Sequence, residues 1–171
     1  MNLQKFSSLV EAVSSVAVVV TLVVLIVEIR QNTEALNAQS RQALLVSAQN
    51  ELLASVDHPD ASLAIAKPGP LTPEEIVMLD SWLQATMRSR EFAWLQYQSG
   101  LIDQEQWDTE LSVIRLLLAQ RRTRLWWSEQ GRTRVSAKFS AFVDGVVKNT
   151  PESGPLGAGK TWFQALQTEQ R

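Results

Sequence analysis

The chain has 171 residues, no cysteine, one histidine and a formal net charge of -2, which excludes disulfides, thiol catalysis and cysteine-based zinc sites and gives no overall pull toward nucleic acid or anionic lipid. Hydrophobic residues make up 45% and charged residues 20%, normal for a folded protein and too apolar for disorder. Seven glycines and one tyrosine are few for an all-β protein, whose turns and strands favour such residues.

After a short tail, 1–8, the stretch from Ala12 to Val27 reads AVSSVAVVVTLVVLIV, uncharged and bounded by Glu11 and Glu28. As a helix, roughly 16 residues rise about 24 Å, against a hydrocarbon core near 30 Å. With Leu9, Val10 and Ile29 the run reaches roughly 20 residues, the usual length of a span. The two glutamates then fall at the interfaces, where a charge costs least. A signal peptide is one competing reading. Lys5 supplies a weak basic start, but EIRQNTEAL offers no good cleavage site after the run. A buried helix of a soluble domain is another, since the run is short and valine-rich. The expectation is a transmembrane helix over 9–29, because lipid leaves a helix as the only single-segment solution. Lys5 on one flank and Arg30 and Arg41 on the other nearly balance. The short N-terminal tail is the cheaper flank to translocate, which puts the rest of the chain on the cytoplasmic side of a bacterial inner membrane.

The helix is expected to continue through 30–57, where neither proline nor glycine interrupts it. Leu25, Ile29, Asn32, Leu36, Gln39, Ala43, Val46, Asn50 and Leu53 recur at alternating steps of four and three, a heptad seam with amides at three positions. Two readings stay open: a face packed on the chain's own domain, or a contact between subunits whose register the amides fix.

The segment DHPDASLAIAKPGPLTPEE breaks the helix at its prolines and glycine, though DASLAIA has room for a short one. Thr72-Pro73-Glu74-Glu75 is a helix start: a threonine cap, proline in the first turn and Glu75 closing a capping box. That helix runs through Ile76, Leu79, Leu83, Met87, Phe92 and Leu95 and stops near Gly100. Asp103 caps the next, which carries Trp107, Leu111, Ile114, Leu117 and Leu118. A third piece around Leu125-Trp126-Trp127 ends near Gly131, and Ser136 caps a fourth with Phe139, Phe142, Val143 and Val147 inward. The fold class is therefore all-α: one long N-terminal helix, transmembrane then extended, followed by a small helical bundle over 58–148. A Gly/Pro-rich tail with a short amphipathic end, KTWFQALQ, closes the chain over 149–171.

The stretches VAVVVTLVVLIVEIRQNTEAL, FAWLQYQSGLIDQEQW and LWWSEQGRTRVSAKFSAFVDGVV together resemble a widespread group of uncharacterised bacterial single-pass membrane proteins. The resemblance covers roughly residues 10 to 147, and the IRQNT flank, Ile29 to Thr33, is its most recognisable part. Glu28 stands where glutamine is expected. The resemblance implies one membrane helix joined to a small helical domain, and no chemistry.

GPLGAGKT, from Gly154 to Thr161, matches the letters of a nucleotide-binding P-loop. A working P-loop lies between a buried strand and a helix. Here VVKNTPES precedes it at the end of a predicted helix, Pro155 lacks an amide, and few residues follow for the rest of a parallel sheet. The expectation is a tether, with no nucleotide bound. His58 beside Asp57 and Asp60 reads as a loop residue before a proline rather than as a base. Arg121, Arg122, Arg124, Arg132, Arg134 and Lys138 surround Trp126 and Trp127. Lipid headgroups or nucleic acid could engage such a stretch, but the commoner case is arginines at helix ends with tryptophans in the core. No catalytic triad, metal set or cofactor site assembles from the sequence. The functional expectation is a membrane-anchored, non-enzymatic helical protein whose partners are the bilayer and further copies of itself. The alternative is a membrane-tethered sensor or binding module, which an apolar pocket lined by several of the six tryptophans would favour.

Overall fold

Three helices in the C-terminal part of the chain begin where the sequence supplies a cap. In the computed structural model, which describes residues 3–153 together with 165, 168 and 169, Thr72 Oγ1 accepts from the Glu75 amide at 3.2 Å while a Glu75 carboxylate oxygen accepts from the Thr72 amide at 2.8 Å. Asp103 and Gln106 repeat the exchange at 2.9 and 3.2 Å. The Ser136 hydroxyl accepts from the Phe139 amide at 3.4 Å. Each such cap is worth about 1 kcal/mol of helix stability.

Six α-helices lie among the described residues: α1 (Leu3–Asp57), α2 (Pro59–Ala66), α3 (Pro73–Gln98), α4 (Gln104–Leu118), α5 (Arg121–Glu129) and α6 (Ala137–Asn149), with a 3-10 turn at Gly131–Thr133. None of the described residues lies in a strand, and one isolated bridge joins Gln120 to Ser153. The fold is all-α, a long N-terminal helix followed by a small bundle. Gly100 ends α3 at φ 70°, a conformation that costs a Cβ-bearing residue and costs glycine nothing. The chain divides into two compact units, Met1–Arg41 and Gln42–Arg171, so the last turns of α1 belong with the bundle.

The core of the second unit lies between α3, α4 and α6. Leu83, Met87, Ile114, Leu118, Phe139 and Val143 are completely buried there. An aromatic layer extends it: Trp94 sits 5.7 Å from Phe139, Trp107 5.5 Å from Phe142, and Tyr97 stacks on Trp107 at 5.5 Å, spacings at which ring pairs attract. Phe142 and Val147 are half-buried against this core. On α3 the inward stripe differs from the apolar run in sequence. Leu79, Leu83 and Met87 are buried, but Ile76, Phe92 and Leu95 are exposed, and the stripe continues through Arg90, Glu91 and Ala93.

The charged members of that stripe are buried because they are paired. Arg90 donates to Glu51 of α1 at 2.7 Å and also to Glu110 of α4. A Glu91 oxygen accepts from the Ser136 amide at 2.6 Å. Leu44 of α1 joins the core, Ser47 meets Ser89 at 3.0 Å, and the Trp82 indole donates to Ser55 at 3.4 Å. A buried charge without a partner would cost several kcal/mol, so these pairs fix which face of α1 docks on α3.

Candidate functional site

The packing of α1 sorts its faces. From Gln42 to Asp57, Leu44, Ser47, Glu51 and Ser55 face the bundle through the contacts above. The seam positions Ala43, Val46, Asn50 and Leu53 in the same stretch are exposed. So are the upstream positions: Leu25, Ile29 and Leu36 at 46%, 64% and 48%, with Asn32 and Gln39. Within the second unit, then, the seam is not the face that packs on the chain's own helices. Three further exposed side chains, Leu45, Leu52 and Val56, lie outside the heptad positions and were not marked by the alternating spacing.

A groove lies between the first turns of α3 and the outer side of α5, with a volume of about 560 Å³. Leu71, Ile76, Val77, Leu79, Leu125 and Trp126 give it an apolar lining, and Asp80, Arg122, Glu129 and Arg134 stand among them. Ile76, Val77 and Leu125 are exposed at 54%, 65% and 62%. Among the described residues only one tryptophan, Trp126, contributes, and Trp94 and Trp107 are spent on the aromatic layer. The polar groups of the groove are already engaged. The Trp126 indole donates to Asp80 at 2.7 Å, and Arg134 donates to both Asp80 oxygens at 2.8 Å and to Gln84. The Arg134 guanidinium, and after it the Trp126 indole, holds the Asp80 carboxyl below the ordinary carboxylate range. A carboxylate so paired is a poor general base. The lining suits apolar surface more than proton transfer.

The neighbouring tryptophan repeats the device. The Trp127 indole donates to Asp144 at 2.9 Å, and Arg132 pairs with the same carboxylate. Arg132, followed by the Trp127 indole, lowers the Asp144 pKa. Both indole rings close over Gly131. In sequence the motif is WWSEQGRTR, and its Asp partners lie far away in α3 and α6, which is why the pairing could not be read there.

Two other arginines of the stretch hold helix ends. Arg122 donates to the carbonyls of Ala64 and Lys67 at 2.5 and 2.6 Å, and to that of Gly69. Arg124 donates to the Leu118 carbonyl at 2.6 Å and to that of Thr150. These carbonyls close α2, α4 and α6, where intrahelical donors run out. Arg121 and Lys138 are exposed. His58 stands at the start of α2 without a side-chain cap bond, and it, Asp57 and Asp60 are exposed. Among the described residues no group of His, Asp and Glu is arranged to hold a metal. The P-loop letters, Gly154 to Thr161, lie outside the described residues. The last anchored position before them is Ser153, whose amide donates to the Ala119 carbonyl at 2.8 Å.

Compared with family models, with curated proteins and with solved structures, the chain matches none of them. α1 is the one described helix long and apolar enough to cross a membrane, by length and composition.

Proposed function

We propose that the protein is a membrane-anchored, non-enzymatic helical protein that self-associates through α1. One observation carries this reading. Every large apolar side chain from Val16 to Ile29 is 46–64% exposed, while Leu83, Ile114 and Val143 in the bundle are completely buried. An apolar surface of that extent calls for lipid or protein around it. The exposed surface of α1 supplies the contact between copies, with the seam amides Asn32 and Gln39 setting register upstream of Gln42. Mass measurement in detergent tests it: an oligomer at micromolar protein is expected, and a strict monomer removes the proposal. In this reading the bundle faces the cytoplasm from a bacterial inner membrane, with Arg30 and Arg41 on its flank set against Lys5 on the other. Alkaline phosphatase activity from a reporter fused after Arg171, with a silent fluorescent-protein fusion, would place it outside.

The groove between α3 and α5 supports a second reading, a membrane-tethered sensor or binding module. Its exposed Ile76, Val77 and Leu125 would then be covered by an apolar ligand. A fluorescent apolar probe whose binding is lost in Leu125→Glu favours this reading. Equal binding by the variant removes it.

A further inference from the structure

We propose that, between Leu45 and Val56, the face of α1 that meets a second copy of this chain runs through Leu45, Leu52 and Val56, flanked by Val46 and Leu53, and not through the heptad positions Ala43 and Asn50. The inference rests on the self-association reading and deepens it by placing the contact.

The argument starts from exposure. Leu45, Leu52 and Val56 are 72%, 69% and 75% exposed, and Val46 and Leu53 are 48% and 53%. With Gln49 they follow helical spacing, 45, 49, 52 and 56 in one row and 46 and 53 beside it, so they form one stripe. The opposite side of the same turns is occupied. Glu51 is bonded to Arg90, Ser47 to Ser89, and Ser55 to the Trp82 indole. These contacts rotate α1 so that the stripe points away from the bundle, while Ala43 and Asn50 lie at its edge.

Charge selects the occupant. From Gln42 to Val56 the only ionised side chain is Glu51, and it is neutralised on the packed side. The stripe therefore offers a charged partner nothing to pair with, and sets no like charges against each other when it meets itself. A second copy brings the matching apolar row. It also brings the matching amide, since Gln49 set against its twin satisfies a group that a dry contact would otherwise strand. Copies anchored in one bilayer share orientation and depth, so their stripes meet parallel and in register at a raised effective concentration.

Because the chain has no cysteine, one substitution at a time reports the contact in the full-length protein in its membrane. Under mild oxidation, Leu52→Cys and Val56→Cys should form disulfide-linked dimers several-fold more than Ala43→Cys and Asn50→Cys. Preferential linkage of Ala43→Cys and Asn50→Cys, with an oligomeric mass in detergent, leaves self-association standing and overturns this placement. A monomeric mass with no linkage at any of the four positions overturns both. Linkage of Leu52→Cys only to a polypeptide of another mass overturns the second copy as the occupant.

Discussion

The first unit and the bundle use the same side chains in opposite ways. Leu22, Val23 and Ile26 stand at 53–55% exposure, whereas Leu83, Val143 and Ile114 have no exposure at all. In the bundle, apolar residues recur where three helices converge, and polar residues separate them. In α1 the apolar residues occupy every side of the helix, so no packing against one neighbour could bury them together. The difference teaches that the surroundings, not the composition, decide where such side chains are stable. The largest expected effect follows from it. A chain beginning at Arg30 should appear in the soluble fraction, while the full chain should require detergent. Release of the full chain by carbonate or high salt alone would break the contrast.

Truncating one side chain in each region sharpens it. Phe139→Ala should cost about 3–5 kcal/mol, because the ring is completely buried and its removal leaves a cavity. Leu22→Ala, at 53% exposure, should leave bundle unfolding unchanged. Thermal melts followed by near-ultraviolet dichroism, in detergent for both variants, compare them directly. Equal loss in the two would mean that α1 is held by the bundle core.

Local chemistry was legible in the sequence and long-range pairing was not. Thr72, Asp103 and Ser136 act within three residues of themselves, so their capping role shows in any short window. The inward face of α4 follows from spacing, and Trp107, Leu111, Ile114, Leu117 and Leu118 are all buried. On α3 the apolar pattern alone misses the inward Arg90 and Glu91, because their partners, Glu51, Glu110 and the Ser136 amide, come from other helices. The groove is likewise invisible in sequence, being made by α3 and α5 at a separation of about fifty residues. The alternating heptad spacing of α1 could be read, but which side of it the bundle occupies depends on those same distant partners.

A smaller effect probes the point where two tryptophans close over the turn after α5. A Cβ added at Gly131 would lie 2.5 Å from Trp126 Cζ3 and 2.7 Å from Trp127 Cε3. Both rings are fixed by bonds to Asp80 and Asp144, so Gly131→Ala should cost about 1–3 kcal/mol through overpacking. Denaturant midpoints measure the loss, and tryptophan emission should shift as the indoles move. An unchanged midpoint would mean that this corner of the bundle yields as freely as the exposed α1 surface.

The smallest effect separates the two regions by acidity. Between Glu11 and Glu28 the first unit has no ionisable side chain, whereas Asp80 and Asp144 anchor the bundle. Arg134, then Trp126, lowers the folded-state pKa of Asp80, and Arg132, then Trp127, lowers that of Asp144. A carboxyl whose pKa falls on folding adds stability that is fully present above its unfolded value, about 3.9, and that is lost as pH drops through the lower folded value. Unfolding midpoints of the bundle should therefore decline below about pH 4 to 5. Asp80→Asn keeps an acceptor for the Trp126 indole but removes the ion pair. Because the pair is partly open to solvent, with side-chain exposures of 28% and 31%, the loss at neutral pH should stay near or below about 1 kcal/mol and shrink further in 1 M salt. The variant's midpoint should also change less between pH 6 and pH 3 than that of the parent chain. Superimposable pH profiles for the two would show that the Asp80–Arg134 pair contributes nothing to holding α3 and the turn after α5 together.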